Sequence, residues 1–229
     1  MEHVLDNMIW NAITTGNISI ADQKDNAGVY KENIAPFASV KEWNEINVNQ
    51  LHSLIPPGRR IAMAYPENFH LHTDQWLILQ QMDCYQMVYE NPIAQFTTTA
   101  STLITRLNET HVPQMLELTA LTKPGPFFEK TILFDNYFGI FQNGQLAAMA
   151  GQRMHPVPYM EVSAVCTHPD FRGKGYAKAI MLHVMKIILD NSFIPFLHVL
   201  AENTSAITLY ESIGFIKRKR FYISAIKRI

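Results

Sequence analysis

Two glycines one residue apart, Gly173 and Gly175, stand between an apolar run that reads as a strand, residues 162–166, and a helical pattern that starts at Ala177. Arg172 and Lys174 alternate with them. This order restricts the fold strongly. A strand must end, the chain must turn through conformations that glycine adopts freely, and a helix must begin at once. The first N–H groups of such a helix have no intrahelical partners, and the missing side chains let a ligand come close to them. The stretch 167–177 is therefore expected to hold a phosphate, with a pyrophosphate as the best match.

The flanking pattern supplies the frame. Residues 137–141, 145–154 and 159–167 read as a three-stranded meander, with Gln142-Asn143-Gly144 as its first tight turn. The third strand alternates: Met160, Val162, Ala164 and Cys166 fall on one face, and Glu161, Ser163 and Val165 on the other. The helix after the glycines carries a buried stripe of Ala177, Ile180, Met181, Val184 and Ile188. A strand over 195–200, a helix over 203–213 ended by Gly214, and strands over 215–226 complete this part. Upstream, a strand over 103–107 leads to an amphipathic helix over 111–121. Lys123-Pro124-Gly125-Pro126 then forms a rigid turn. Its prolines lack the N–H donors that a phosphate loop needs. Phe127 and Phe128 beyond it either floor a pocket or pack under the loop.

The first hundred residues read as a smaller α/β unit. A helix begins at Met8, a polar exposed stretch covers 22–28, and Ser39 is the expected N-cap of a second helix. Strands follow over 60–64 and from Trp76 toward Tyr89. A change of composition over 96–102 places the boundary, giving an N-terminal unit over 1–97 and a larger domain over 98–229. His70-Leu71-His72 with Asp74 lacks a third ligand at a telling spacing, so a surface loop is expected and no metal.

A hydrophobic content of 48% in 229 residues supports a real core. A net charge of -1 gives no electrostatic ground for nucleic acid or a membrane surface as the main partner. Cys84 and Cys166 are the two cysteines, expected as free thiols in a reducing compartment. The N-terminus lacks the pattern of a signal peptide. These features together predict a cytoplasmic protein.

Three phosphate-binding patterns compete for the glycine loop. A Walker A loop fails, because Gly175 follows Gly173-Lys174 and His168 stands where the first glycine belongs. A dinucleotide fingerprint fails, because Lys178 replaces the third glycine and an antiparallel meander precedes the loop. The pattern Arg/Gln-x-x-Gly-x-Gly/Ala fits from Arg172 to Ala177. With it, residues 164–177 resemble the acyl-CoA pyrophosphate loop of the GNAT superfamily of N-acetyltransferases. A second stretch agrees. Asn203, Ala206, Tyr210, Gly214 and Phe215 are similar to that family's Asn-x-x-Ala-x-x-x-Tyr-x-x-x-Gly-Phe helix. The segments Asp6-Asn7-Met8-Ile9-Trp10-Asn11-Ala12 and Ala35-Pro36-Phe37-Ala38 look like the N-terminal extension of a group related to glycine N-acyltransferase-like proteins.

The resemblance implies an α/β (α+β) GNAT fold: a central mixed, mostly antiparallel sheet flanked by helices, beside the smaller N-terminal unit. It implies acetyl-CoA as acyl donor and a small-molecule or peptide amine as acceptor. Backbone groups of Val165, Cys166 and Thr167 would pair with the pantetheine arm. Arg172, Gly173, Lys174, Gly175, Tyr176 and Ala177 would cradle the pyrophosphate. Tyr210 matches the tyrosine that protonates the leaving thiolate, and Asn203 either caps its helix or contacts the cofactor. Glu161 is the expected general base, directly or through water, with His198 in reserve. Cys166 reads as a small apolar strand residue, because the amine attacks directly in this superfamily. The run Lys217-Arg218-Lys219-Arg220 reads by default as a solvated strand edge. The alternative function is a non-catalytic acyl-CoA-binding or regulatory module. For the N-terminal unit, a degenerate half of the same fold, a part of the acceptor pocket and a homodimer interface stay open.

Overall fold

A computed structural model describes residues 3–67, 69–91 and 103–229. Its helices are α1 (Met8–Thr14), α2 (Glu45–Leu54), α3 (Val112–Thr122), α4 (Tyr176–Asp190) and α5 (Thr204–Ser212). Its strands are β1 (Ala21–Lys24), β2 (Ala27–Tyr30), β3 (Ala38–Val40), β4 (Arg60–Met63), β5 (Trp76–Tyr89), β6 (Thr105–Arg106), β7 (Phe138–Gln142), β8 (Gln145–Gln152), β9 (Tyr159–Thr167), β10 (Ile194–Leu200) and β11 (Phe215–Arg228). The first three form a small antiparallel sheet. The other eight form one sheet in the order β4-β11-β5-β10-β9-β8-β7-β6. Among the described residues, only β9 and β10 run parallel within it. This is the mixed, mostly antiparallel sheet flanked by helices that the sequence implies.

Apolar periodicity decides which face each helix covers. α4 buries Ile180, Met181, Val184, Met185 and Ile188 against one face of the large sheet, and α5 adds Ile207 and Tyr210. α1 covers the other face with Met8, Ile9, Ala12 and Ile13, and α3 with Met115 and Leu118. Burying each such aliphatic side chain stabilises the fold by about 1.5–3 kcal/mol. The small sheet and α2 pack around Val29, Val48, Leu51, Ile61 and Trp76.

The boundary expected near residue 97 lies outside the described residues. β5 precedes it in sequence, yet it hydrogen-bonds between β10 and β11. The N-terminal segment thus supplies an inner strand of the large sheet. The basic run lies on the part of β11 that pairs with β5 alone, because β4 joins only at 224–227. Lys217, Lys219 and Arg220 are exposed there, as a solvated strand edge implies, and each cation has a partner: Lys217 pairs with Glu211 at 3.0 Å, Arg218 and Lys219 with Asp6 at 2.6 and 3.0 Å, and Arg220 with Asp83. A register shift between Lys217 and Lys219 turns Arg218 inward.

Three local expectations change. Residues 22–28 belong to the β1–β2 hairpin: Asp22 to Asp25 are exposed as expected, whereas Ala27 and Gly28 open β2, which is buried throughout. Ser39 lies in β3, and its hydroxyl donates to Asn7 Oδ1 at 2.8 Å. The cap of α2 is Asn44, whose Oδ1 accepts from the Asn47 N–H at 2.9 Å; strand pairing wins over capping at Ser39. The strand expected over 103–107 shrinks to Thr105–Arg106.

Candidate active site

The site begins where two parallel strands part. β9 pairs with β10 only from Tyr159 to Glu161. Beyond that point β10 continues along β5, while β9 stays with β8 through Cys166 and Thr167. Among the described residues, the β9 edge after Glu161 therefore has no ladder partner on the β10 side. Such an edge can take an extended ligand as an added strand. The β8–β9 register shifts between Met149 and Gly151, and Ala164 has φ +54°. This bulge overturns the simple alternation. Met160, Val162 and Val165 face the α4 side, whereas Ala164 and Cys166 face α1 and α3. One extra residue reverses the parity of everything after it.

The glycine loop follows directly. His168 Nδ1 accepts from the Asp170 N–H at 3.3 Å and starts a short 3-10 turn over Pro169–Phe171. Gly173 and Gly175 both have φ +76°, the left-handed region that disfavours side chains. A Cβ at either would meet nothing within 4 Å, so the space above the loop is open. Among the described residues, the N–H groups of Gly173 to Lys178 find no acceptor. Six consecutive donors at the start of a 15-residue helix form an anion site. Arg172 and Lys174 are exposed beside it, and the Lys174 ammonium lies 5.0 Å above the Phe171 ring.

α5 brings in the phenol. Asn203 Oδ1 caps the helix by accepting from the Ala206 N–H at 3.1 Å. Tyr210, two turns on, is buried. No hydroxyl partner for it exists among the described residues. Burial, reinforced by the nearby Cys166, pushes its phenol up to about 12. Burial pushes the Cys166 thiol up to about 12 as well, so it is a poor nucleophile at neutral pH.

Glu161 is placed differently from a free base. It is fully buried, and four donors occupy its oxygens. Arg153 Nε donates to Oε2 at 2.8 Å and Nη2 to Oε1 at 2.6 Å. The Met154 N–H adds a bond to Oε2 at 3.2 Å, and His198 Nδ1 lies 2.7 Å from Oε1. Burial alone would raise this carboxyl, but the Arg153 charge and the hydrogen bonds outweigh it and hold it far below the usual carboxylate range. The chain of bonds runs on. His198 Nε2 meets Gln86 Nε2 at 3.2 Å, Gln86 Oε1 accepts from Arg218 at 2.9 Å, and Arg218 reaches Asp6. Gln86 Nε2 also donates to the Leu5 carbonyl, so the network assigns His198 the Nδ1–H tautomer.

Beside Glu161 a shallow crevice, too narrow to admit a water molecule, lies between the Pro124–Phe127 turn and β9, lined also by Tyr137, Arg153, Ser163 and Ala164. Phe127 belongs to it and stands edge-on to Tyr137, while Phe128 is exposed. Sequence reasoning passed over Arg153 and Tyr137. The available signal was an arginine two residues after an apolar run, Ala147 to Gly151.

Comparison with known proteins bears on the family of the chain. The FR47-like protein family matches residues 137–223, the span from β7 into β11. A [Ribosomal protein bS18]-alanine N-acetyltransferase of Escherichia coli (strain K12) is 27% identical over 128 residues, covering 52% of this chain and 86% of that protein. A crystal structure from Novosphingobium aromaticivorans DSM 12444, of a protein described as an acetyltransferase from the GNAT family, superposes with a TM-score of 0.90. It is 30% identical and covers 100% of both chains. The chain belongs to the GNAT family. Membership makes it an N-acetyltransferase. A GCN5-related N-acetyltransferase-like protein from Streptococcus suis 89/1591 shares the fold at a TM-score of 0.60 and 16% identity, over 97% of this GNAT chain and 92% of that one. No helix among the described residues is long and apolar enough to cross a membrane.

Proposed function

We propose that this GNAT protein transfers the acetyl group of acetyl-CoA to a primary amine by direct attack. The observation that carries the reading is the row of unpaired N–H donors from Gly173 to Lys178, placed beyond an open β9 edge. The pyrophosphate would lie on those donors with Arg172 and Lys174 at its flank. The pantetheine would run along Val165, Cys166 and Thr167. The amine nitrogen attacks the thioester carbonyl carbon, the C–S bond breaks, and Tyr210 gives its proton to the departing sulfur. The excess proton of the amine leaves to water, and solvent reprotonates the phenolate. A phenol pushed up to about 12 keeps its proton through the neutral range, as an acid must. Glu161 holds Arg153 and His198 in place and is not the base. With the Glu161 oxygens committed to Arg153, Met154 and His198, the acceptor in this reading arrives as the free amine.

Calorimetry with acetyl-CoA tests the donor site directly, and absence of binding to wild type would sink the reading. Thiol release across an amine panel separates an enzyme from a binding module, which would bind acetyl-CoA without turnover. Tyr210→Phe is expected to lower kcat by roughly 10²-fold, the scale of a lost general acid, with an unchanged Kd for acetyl-CoA. Equal turnover of the two proteins would remove Tyr210 from the mechanism.

The pH profile checks the absence of a side-chain base. The acidic limb of kcat/KM is expected to follow the acceptor, falling below about 8 for an α-amine and below about 10.4 for a lysine-like amine. A limb fixed at one pH for both acceptors would point to an enzyme base instead.

A further inference from the structure

The large sheet consists of two halves in strand order: β6 to β9 on one side, and β10, β5, β11 and β4 on the other. The ladder between the halves is three residue pairs long and ends at Phe196 and Glu161. One of its β10 residues, Pro195, has no N–H to donate. Glu161 is fastened to the first half. Its N–H donates to the Met154 carbonyl at 2.9 Å, its carbonyl accepts from the Arg153 N–H at 3.1 Å, and the Arg153 guanidinium grips its carboxylate. His198 is fastened to the second half. It is the ladder partner of Gln86 on β5, its Nε2 accepts from the Gln86 amide at 3.2 Å, and its ring packs against Phe196 and Phe221 with centroids 5.4 and 5.1 Å away. One bond joins the two anchored residues: His198 Nδ1–H donates to Glu161 Oε1 at 2.7 Å. Among the described residues it is the only side-chain hydrogen bond between β9 and β10, and it springs from β10 two residues past the last ladder pair. Glu161 is fully buried and the His198 side chain is 6% exposed, so water does not compete for it.

We propose that His198 is a positioning residue for the acyl donor: its bond to Glu161 pins the two halves of the sheet where β9 and β10 part, and so sets the gap that takes the pantetheine arm. The inference rests on the acyl-transfer reading and adds a determinant to its donor site. Beyond Glu161 no ladder fixes the separation of the two strands. An arm laid on β9 as an added strand sits about 4.8 Å from it, and β10 must stand clear by about one more such spacing. A narrower gap shuts the arm out, and a wider one costs it the contacts of one wall. Arg153 follows β8 and belongs to the same half as Glu161, so that ion pair cannot set the gap. The bond to His198 crosses from one half to the other and can.

Two substitutions separate the two ring nitrogens. His198→Asn keeps an N–H donor near the place of Nδ1 and loses the contact with Gln86. His198→Gln puts its amide near the place of Nε2 and gives up the bond to Glu161. Both lose the ring that packs against Phe196 and Phe221, so both should melt below wild type by similar amounts. Their affinities should nevertheless differ. Calorimetry with acetyl-CoA is expected to place His198→Asn near wild type and to show His198→Gln weakened by about 10-fold or more, the scale of a lost hydrogen bond to a charged group. ADP carries a pyrophosphate without the arm, and its affinity should be the same in all three proteins. Equal acetyl-CoA affinity of the two variants, a greater loss in His198→Asn, or a matching loss of ADP affinity in His198→Gln would overturn the inference. If wild type holds acetyl-CoA but not ADP, the comparison of the two variants decides alone. Failure of wild type to bind acetyl-CoA would instead strike the functional reading itself.

Discussion

Replacing Glu161 with alanine is expected to destabilise the protein by about 3–5 kcal/mol, the scale of breaking a buried ion pair from one side. The change strands the Arg153 guanidinium in the core, where its attachment to Glu161 is what makes its burial tolerable. It also removes the acceptor of His198 Nδ1. Urea unfolding of the two proteins at neutral pH measures the difference, and a loss below 1 kcal/mol would contradict the structural role. The pH dependence has a definite sign. Glu161 ordinarily titrates near 4.5 and is held well below that in the fold. Between those two values the unfolded chain binds a proton that the native state refuses. Stability is thus fully present above about pH 4.5 and drains away as pH falls below it. Wild type should lose stability steeply on acidification, and Glu161→Ala more gently. Glu161→Gln separates charge from shape: it keeps the volume but cannot neutralise Arg153.

Gly175→Glu is expected to weaken acetyl-CoA binding more than 100-fold with little change in the fold. Two effects add. The backbone at Gly175 has φ +76°, and a non-glycine residue there costs about 1–2 kcal/mol. The new carboxylate would point into open space beside the proposed pyrophosphate, and like charges brought together cost several kcal/mol. Gly175→Ala carries the strain without the charge and should fall between. Calorimetry with acetyl-CoA reads the affinities, and a thermal melt shows that the exposed loop tolerates the change. Retained affinity in Gly175→Glu would move the pyrophosphate away from this helix.

What the sequence reveals and what it hides follow from distance along the chain. The glycine loop is legible because its requirements are local: a left-handed turn, unpaired N–H groups and a helix start all lie within a few residues. Tyr210 is legible for the same reason, being fixed by its helix and by Gly214. The environment of Glu161 is not. Its partners Arg153 and His198 stand 8 and 37 residues away, and only the packed sheet makes one carboxylate their common acceptor. A strand position with a polar neighbour reads as an accessible base until those partners are in place. The Ala164 bulge is hidden too, since alanine carries no signal for φ +54° and strict alternation is the natural assumption. Ser39 shows competition between two local rules, in which pairing with the neighbouring strand prevails over capping.

The position of β5 has a consequence for how the protein is made. A ribosome produces residues 76–89 long before residues 194–200 and 215–228, the two strands that must flank them. Until then the long β5 strand has both edges bare, which is the state most open to aggregation. The large sheet can close only late in synthesis, through contacts of high sequence separation, which favours slow folding. Helix α1, the small sheet and α2 can shelter the waiting strand on its apolar face. The N-terminal segment is then less an appendage to the transferase than the surface on which its last strands condense.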